Sequence, residues 1–174
     1  MKKCILASAA LLGFITVGAQ QTVTLNVRLK PIQTLVVNNS QKIVNLDYVT
    51  KDDYANGVTS NNPDHLTIYS TGGFQVKVKS ASAALQNGGK NIQANTIQIK
   101  ASAGTDAVNG AQYAQGTTLS ANETTLVTSA AGGVNKKISV EYKGAGGNAY
   151  LDNYIAGQDP TVYSTELTYT IIAQ

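Results

Sequence analysis

The sequence predicts an all-β protein: a single β-sandwich of antiparallel strands, preceded by an export signal. Three observations support this expectation. Apolar residues recur at every second position along most of the chain, as in Val23, Leu25, Val27 and Leu29. Turn formers such as Gly72-Gly73, Gly132-Gly133, Asn56-Gly57, Asn87-Gly88 and Asn109-Gly110 separate these runs. No stretch after residue 19 carries a convincing helical period; the nearest candidate, residues 81–85, is too short to stand alone. Period two places successive side chains on opposite faces of a strand. Gly and Asn accept the positive φ that tight turns require.

The N-terminus reads as a secretory signal. Met1-Lys2-Lys3 is basic, residues 4–17 are apolar or small, and Val17-Gly18-Ala19 offers the small residues of a cleavage site. The apolar stretch is shorter than the roughly 20 residues of a membrane-spanning helix. Cleavage after Ala19 leaves residues 20–174 as one domain, and Lys2 and Lys3 depart with the leader. Eleven basic residues then face ten acidic ones, so the formal charge falls from +3 to +1. A near-neutral surface gives no electrostatic case for nucleic acid or anionic lipid. Cys4 is the only cysteine and leaves with the signal, so neither a disulfide nor a thiolate metal site is expected.

Nine strands are expected in order. The first, residues 22–29, alternates Val23, Leu25, Val27 and Leu29 with Thr22, Thr24, Asn26 and Arg28. Residues 32–37 follow. In residues 43–48, Val44, Leu46 and Tyr48 share one face. Residues 66–70 come next, then 74–78, where Phe74, Val76 and Val78 alternate with Gln75 and Lys77. Residues 96–101, 124–128 and 138–142 continue the series, and Tyr163, Thr165, Leu167, Tyr169 and Ile171 align on a last strand. Val, Ile, Thr and Tyr dominate these runs, as strand propensity favours. Pro31, Pro63 and Pro160 are expected at strand edges, where a missing N–H costs little. The two Gly-Gly pairs suggest two similar hairpins. Longer loops are expected at residues 50–64, 102–116 and 144–159.

Candidate chemistry is sparse. His65 is the only histidine and is expected as a surface hydrogen-bonding residue at a strand entrance. Asp52 and Asp53, with Asp47 and Asp64, offer oxygens to Ca²⁺, but their spacing is not that of an EF-hand and a polar turn explains them. Asp152, Asn153 and Asp159 form a second such cluster. No nucleophile elbow, phosphate loop or His-Glu-x-x-His occurs. The expectation is therefore a non-enzymatic protein without cofactor or metal. Nine tyrosines remain after cleavage, and Tyr48, Tyr142 and Tyr169 are expected to face the core. Tyr54, Tyr113, Tyr150 and Tyr154 fall in loops, where rings stack on sugars or anchor interfaces.

The last strand, Val162-Tyr163-Ser164-Thr165-Glu166-Leu167-Thr168-Tyr169-Thr170-Ile171-Ile172, resembles that of pilin-like secreted proteins of the spore-coat-U type. It also resembles the closing strand of WxL surface domains, with Tyr169 and Ile171 in place of Trp and Leu. The layout is similar to small exported proteins of Bacteroidota, some labelled peptidoglycan-binding. The resemblance implies a single immunoglobulin-like or pilin-like β-sandwich of antiparallel strands at the cell envelope.

Two functions are expected from this. The first is a structural or adhesive envelope subunit, exported to the periplasm or beyond, that self-associates or joins other envelope proteins by strand complementation. Residues 22–29 and the last strand are the natural contributors, because an extended segment completes a neighbour's sheet through main-chain hydrogen bonds. The alternative is a module for peptidoglycan or another surface glycan, with Tyr54, Tyr150 and Tyr154 as stacking platforms.

Overall fold

The computed structural model describes residues 18–174. The expected signal, residues 1–19, lies almost wholly outside them. The described chain is a two-sheet antiparallel sandwich. Its strands are β1 (Gln33–Val37), β2 (Thr59–Ser70), β3 (Phe74–Ser80), β4 (Ala84–Asn87), β5 (Lys90–Gln93) and β6 (Ile97–Ala103). Then follow β7 (Gln112–Tyr113), β8 (Thr117–Thr118), β9 (Thr124–Ser129), β10 (Gly133–Gly144) and β11 (Leu167–Ala173). One sheet has the order β1-β2-β10-β6-β8, the other β11-β3-β9-β7, and β4 and β5 form a separate hairpin.

The alternation read from sequence becomes the core. Leu66 and Ile68 of β2, Ile138 and Val140 of β10, and Ile99 of β6 face Phe74, Val76 and Val78 of β3 and Leu126 and Val127 of β9. All are at most 2% exposed. Each such side chain contributes roughly 1.5–3 kcal/mol on burial. The opposite positions carry Lys77, Lys79, Lys100, Lys137 and Glu141, which stay in contact with water.

The two Gly-Gly segments are not hairpins. Residues 71–73 carry the chain from β2 in one sheet to β3 in the other, and residues 130–132 carry it back from β9 to β10. These corners interlock: a Cβ on Gly132 would lie 2.2 Å from the Ser70 carbonyl oxygen and 2.8 Å from the Gly72 nitrogen. Glycine is needed there because backbone meets backbone.

Pro63 lies inside β2 rather than at its edge. It occupies a bulge, since Leu66 pairs with Ile138 but Asn62 with Val140, leaving three residues of β2 opposite Ser139 alone. A bulge leaves ladder bonds unmade, so proline costs little there. Asp64 adopts φ of 51°, its N–H donates to the Ser139 hydroxyl, and its carboxylate accepts from the Thr105 N–H and hydroxyl at 2.8 and 2.6 Å. Those two donors hold the Asp64 carboxyl below its usual range.

Part of the loop expected at residues 50–64 is structured. Helix α1 (Lys51–Asn56) is closed by a capping box: Asp53 N–H donates to the Thr50 hydroxyl, and the Asp53 carboxylate accepts from the Thr50 and Val49 amides. This is the one α-helix among the described residues, against the expectation of none; three single 3-10 turns accompany it. It is six residues long, too short to show a period, and Thr50-x-x-Asp53 is its only local signature. Two other expected strands are absent from the ladders. Residues 22–29 and 43–48 carry no strand pairing. The last strand is also shorter than expected; upstream of Leu167, Ser164 makes only an isolated bridge to Gln86.

Candidate functional site

One long side of the sandwich is bounded by two edge strands, β1 and β11, which approach each other closely but share no ladder. Along β3 every second residue is buried, but the matching positions of β11 (Leu167, Tyr169 and Ile171) are only half-buried. The inward residues of β1, Leu35 and Val37, are likewise half-buried. Downstream of β1, Val44, Leu46 and Tyr48 pack on the core with one flank uncovered, while Ile43 and Val49 point away and are each 82% exposed. The backbone of residues 43–48 makes no hydrogen bond among the described residues, and β11 bonds laterally to β3 alone. Unpaired main-chain donors and acceptors beside half-covered apolar side chains mark an unprotected sheet edge.

The polarity of this side follows from the register. Ser70 and Phe74 lie at the same end of the sandwich, on either side of the 71–73 corner. β1 starts there, with Gln33 opposite Ser70, and β11 finishes there, with Ala173 opposite Phe74. The two borders therefore run in opposite directions.

Upstream of β1 the chain is uncovered. Every residue from 18 to 32 is exposed. Val23, Leu25, Val27 and Leu29, the one-faced apolar set of the expected first strand, are 92, 88, 79 and 89% exposed. Residues 18–31 make no hydrogen bond to the rest of the described chain; the first anchor is Ile32, whose N–H donates to the Thr71 hydroxyl at 3.0 Å.

A buried polar chain crosses the interior beneath the open side. His65 is 2% exposed, not a surface residue as expected, because the Pro63 bulge turns it inward beside Leu66. Its Nδ1 lies 3.0 Å from Gln41 Oε1, and the Gln41 amide donates to the Pro63 carbonyl at 3.0 Å. Gln41 therefore accepts, Nδ1 carries the proton, and Nε2 accepts from the Tyr142 hydroxyl at 3.0 Å. Tyr142 in turn bonds the Tyr169 hydroxyl on β11. Burial lowers the His65 pKa and pushes the Tyr142 hydroxyl up to about 12. Burial also raises Tyr169, reinforced by Tyr142 beside it. Nothing local in the sequence identifies Gln41 as a partner of His65, 24 residues away. The one local sign is Pro63, a strand breaker two residues before His65.

The three tyrosines expected to bind sugar do not share a surface. Tyr150 is 8% exposed and belongs to the core, its hydroxyl bonded to Thr96 at 2.7 Å, so its ring face is already covered. Tyr54 is half-buried on α1 and packs on Tyr48 at 5.3 Å between centroids, and Tyr48 meets Tyr150 edge-on at 5.1 Å. Tyr48 donates to the Ala145 carbonyl, and desolvation raises its pKa. Tyr154 stands apart and is 57% exposed. Tyr113 has a buried hydroxyl with no partner.

Among the described residues no three His, Cys, Asp or Glu side chains converge on one point. Asp53 is committed to the helix cap, which also holds its carboxyl below the usual range. Two shallow depressions of about 250 and 270 Å³, one beside Thr96 and Lys143, the other beside Lys100 and Glu141, are smaller than ordinary small-molecule pockets. No helix among the described residues is long and apolar enough to cross a membrane. Comparison with known protein families finds no matching family, and comparison with curated proteins finds no match.

Proposed function

We propose that this chain is an exported, non-enzymatic envelope subunit that assembles head to tail by strand complementation. Residues 22–29 of one copy would fill the open side of the next. One observation carries the reading: a single chain offers both an unpaired strand with four apolar residues on one face and a sandwich side lacking a strand.

Strand order supports it. An immunoglobulin-type sandwich pairs A-B-E-D in one sheet and C-F-G in the other. Here β1-β2-β10-β6 follows A-B-E-D, and β11 and β3 take the places of F and C. The place of G, beside β11, is vacant. Eight residues of extended chain span about 26 Å, enough to line the seven residues of β11.

Geometry favours a second copy over self-insertion. Only Lys30, Pro31 and Ile32 separate Leu29 from β1. Three residues reach about 10 Å, so an intramolecular insertion forms a hairpin with β1. Because β1 and β11 run oppositely, that hairpin strand lies parallel to β11. The antiparallel arrangement, the more stable per residue, is open only to another molecule.

The test is the assembly state of the processed chain at high concentration. Wild type should form ladders on native gels and filaments in electron micrographs. Leu25→Asp with Leu29→Asp should leave a folded monomer. In that monomer trypsin should cut after Arg28, a bond protected in the assembled form. A wild-type chain that stays monomeric with Arg28 open to trypsin overturns the reading.

The second reading, binding to peptidoglycan or another surface glycan, rests on Tyr154, the one exposed ring of the three candidates. Retention on purified sacculi that is lost in Tyr154→Ala would support it.

A further inference from the structure

The open side is bordered by two segments that are tied together through the interior. Gln41 belongs to the 3-10 turn Asn39–Gln41, which leads into residues 43–48. Tyr169 belongs to β11. Between them run His65 of β2 and Tyr142 of β10, each joined to the next by a side-chain hydrogen bond. The two tyrosine rings also flank the imidazole edge-on, each 5.8 Å away. With neutral imidazole the donors are fully ordered: Tyr169 to Tyr142, Tyr142 to His65, His65 to Gln41, Gln41 to the Pro63 carbonyl.

A second proton on His65 breaks this order. Nε2 becomes a donor, so Tyr142 must accept from it and donate to Tyr169. Tyr169 then has to turn its own hydrogen toward the half-covered open side. The imidazolium would also be a buried charge with no counter-ion. β1 and the turn Asn39–Gln41 carry no titratable side chain. β10 and β11 meet the imidazole with the rings of Tyr142 and Tyr169, and no charged side chain contributes to the His65 shift. Asp64, next in sequence, is turned to Thr105, and neither ion pair among the described residues includes His65. A buried unpaired cation is costly enough that the protein moves to let water reach it. Here the least-packed route to water is the open side. The depressed His65 pKa and the raised phenol pKa values agree: burial favours the neutral form of all three groups.

We propose that Gln41-His65-Tyr142-Tyr169 is an acid-released latch on the strand-accepting side: closed when His65 is neutral, it loosens residues 39–49 and β11 when His65 is protonated. Its use in assembly rests on the strand-complementation reading above: acid would speed the exchange of donor strands. The latch itself does not rest on that reading.

The experiment uses the full processed chain carrying Leu25→Asp and Leu29→Asp, which keeps it monomeric. Hydrogen exchange, corrected for intrinsic rate, is followed from pH 8 to 5. Peptides covering residues 39–49 and 167–173 should lose protection at least tenfold on acidification, while those of β3 and β6 change less than threefold. His65 is the only histidine, so its imidazole titration by nuclear magnetic resonance is unambiguous, and its midpoint should coincide with the loss of protection. His65→Gln, which keeps an acceptor toward Tyr142 without titrating, should flatten the response; if that variant does not fold, the coincidence of midpoints decides. Uniform loss of protection, or none, overturns the latch. With the latch confirmed, wild-type polymers that exchange labelled subunits at the same rate at pH 8 and 5 overturn its role in assembly. Absence of polymers, with local opening intact, condemns the strand-complementation reading and leaves the latch standing.

Discussion

Single residues set this fold's tolerances where backbone meets backbone. Gly132 sits in a corner with no space for a methyl group, so Gly132→Ala should lower stability by about 2–3 kcal/mol through backbone displacement. Gly89 has nothing within 4 Å of a built Cβ, and Gly89→Ala should change stability by less than about 0.5 kcal/mol. Urea titration of both variants checks the contrast. Three buried serines close strands by one device: Ser70, Ser80 and Ser129 each donate to the carbonyl two residues on, at 2.7, 2.7 and 2.8 Å. Acid stability should fall in two stages. The His65 pKa is lowered in the folded state, so its contribution is fully present above the ordinary 6.5 and is lost as pH falls toward the folded value. One proton limits that slope to about 1.4 kcal/mol per pH unit. Asp53 and Asp64 are lowered too, so their contribution is present above the ordinary 3.8 and is lost only below it. Denaturant midpoints measured from pH 8 to 2 should show both stages in wild type and only the second in His65→Gln.

At the scale of elements, α1 depends on its cap. Thr50→Ala removes one half of the box, and about 1 kcal/mol of stability should go with it. The loss should loosen Tyr54 against Tyr48, visible as increased hydrogen exchange over residues 50–57. Period two identified the core strands because Val76, Val78, Ile99 and Val140 are buried by the same alternation that sequence displays. It could not say whether a strand has a partner, because side-chain alternation reports which face is apolar and nothing about where the amides bond. Residues 22–29 and 43–48 thus read as strands and stand unpaired. The first half of β2 went unseen for the opposite reason: Ser60, Asn61, Asn62, Pro63 and Asp64 are polar or strand-breaking, yet β10 holds them across a bulge. The hairpin of β4 and β5 showed only its turn, Asn87-Gly88, where Gly88 adopts φ of 55°. The open side and its latch required contacts between β1, β2, β10 and β11, which no local pattern encodes.

For the whole molecule, the unmade contacts matter as much as those formed. If residues 22–29 fill the side of a second copy as proposed, stability should depend on concentration, because a bound donor stabilises the folded acceptor by mass action. The donor-deficient monomer, Leu25→Asp with Leu29→Asp, provides the clean acceptor. A synthetic peptide of residues 20–30, added at 100 times its dissociation constant, should stabilise it by about 2.7 kcal/mol and raise its melting temperature by several degrees. The same peptide with Val23, Leu25, Val27 and Leu29 replaced by Ser keeps its main-chain hydrogen bonds but loses the apolar face. It should shift the melting temperature by less than one-fifth as much, since apolar side chains against the half-covered residues of β11 and residues 44–48 would supply most of the gain. Direction is tested in the same system. Antiparallel insertion brings the peptide's N-terminal end to the Ala173 end of β11, and parallel insertion brings it to the Leu167 end. A cysteine at peptide position 23 should therefore form a disulfide with a cysteine at Ala173 and not with one at Leu167. Cross-linking at Leu167 instead would mean that the segment enters parallel, as a hairpin on its own β1 would, and the geometric reason for a second molecule would be gone.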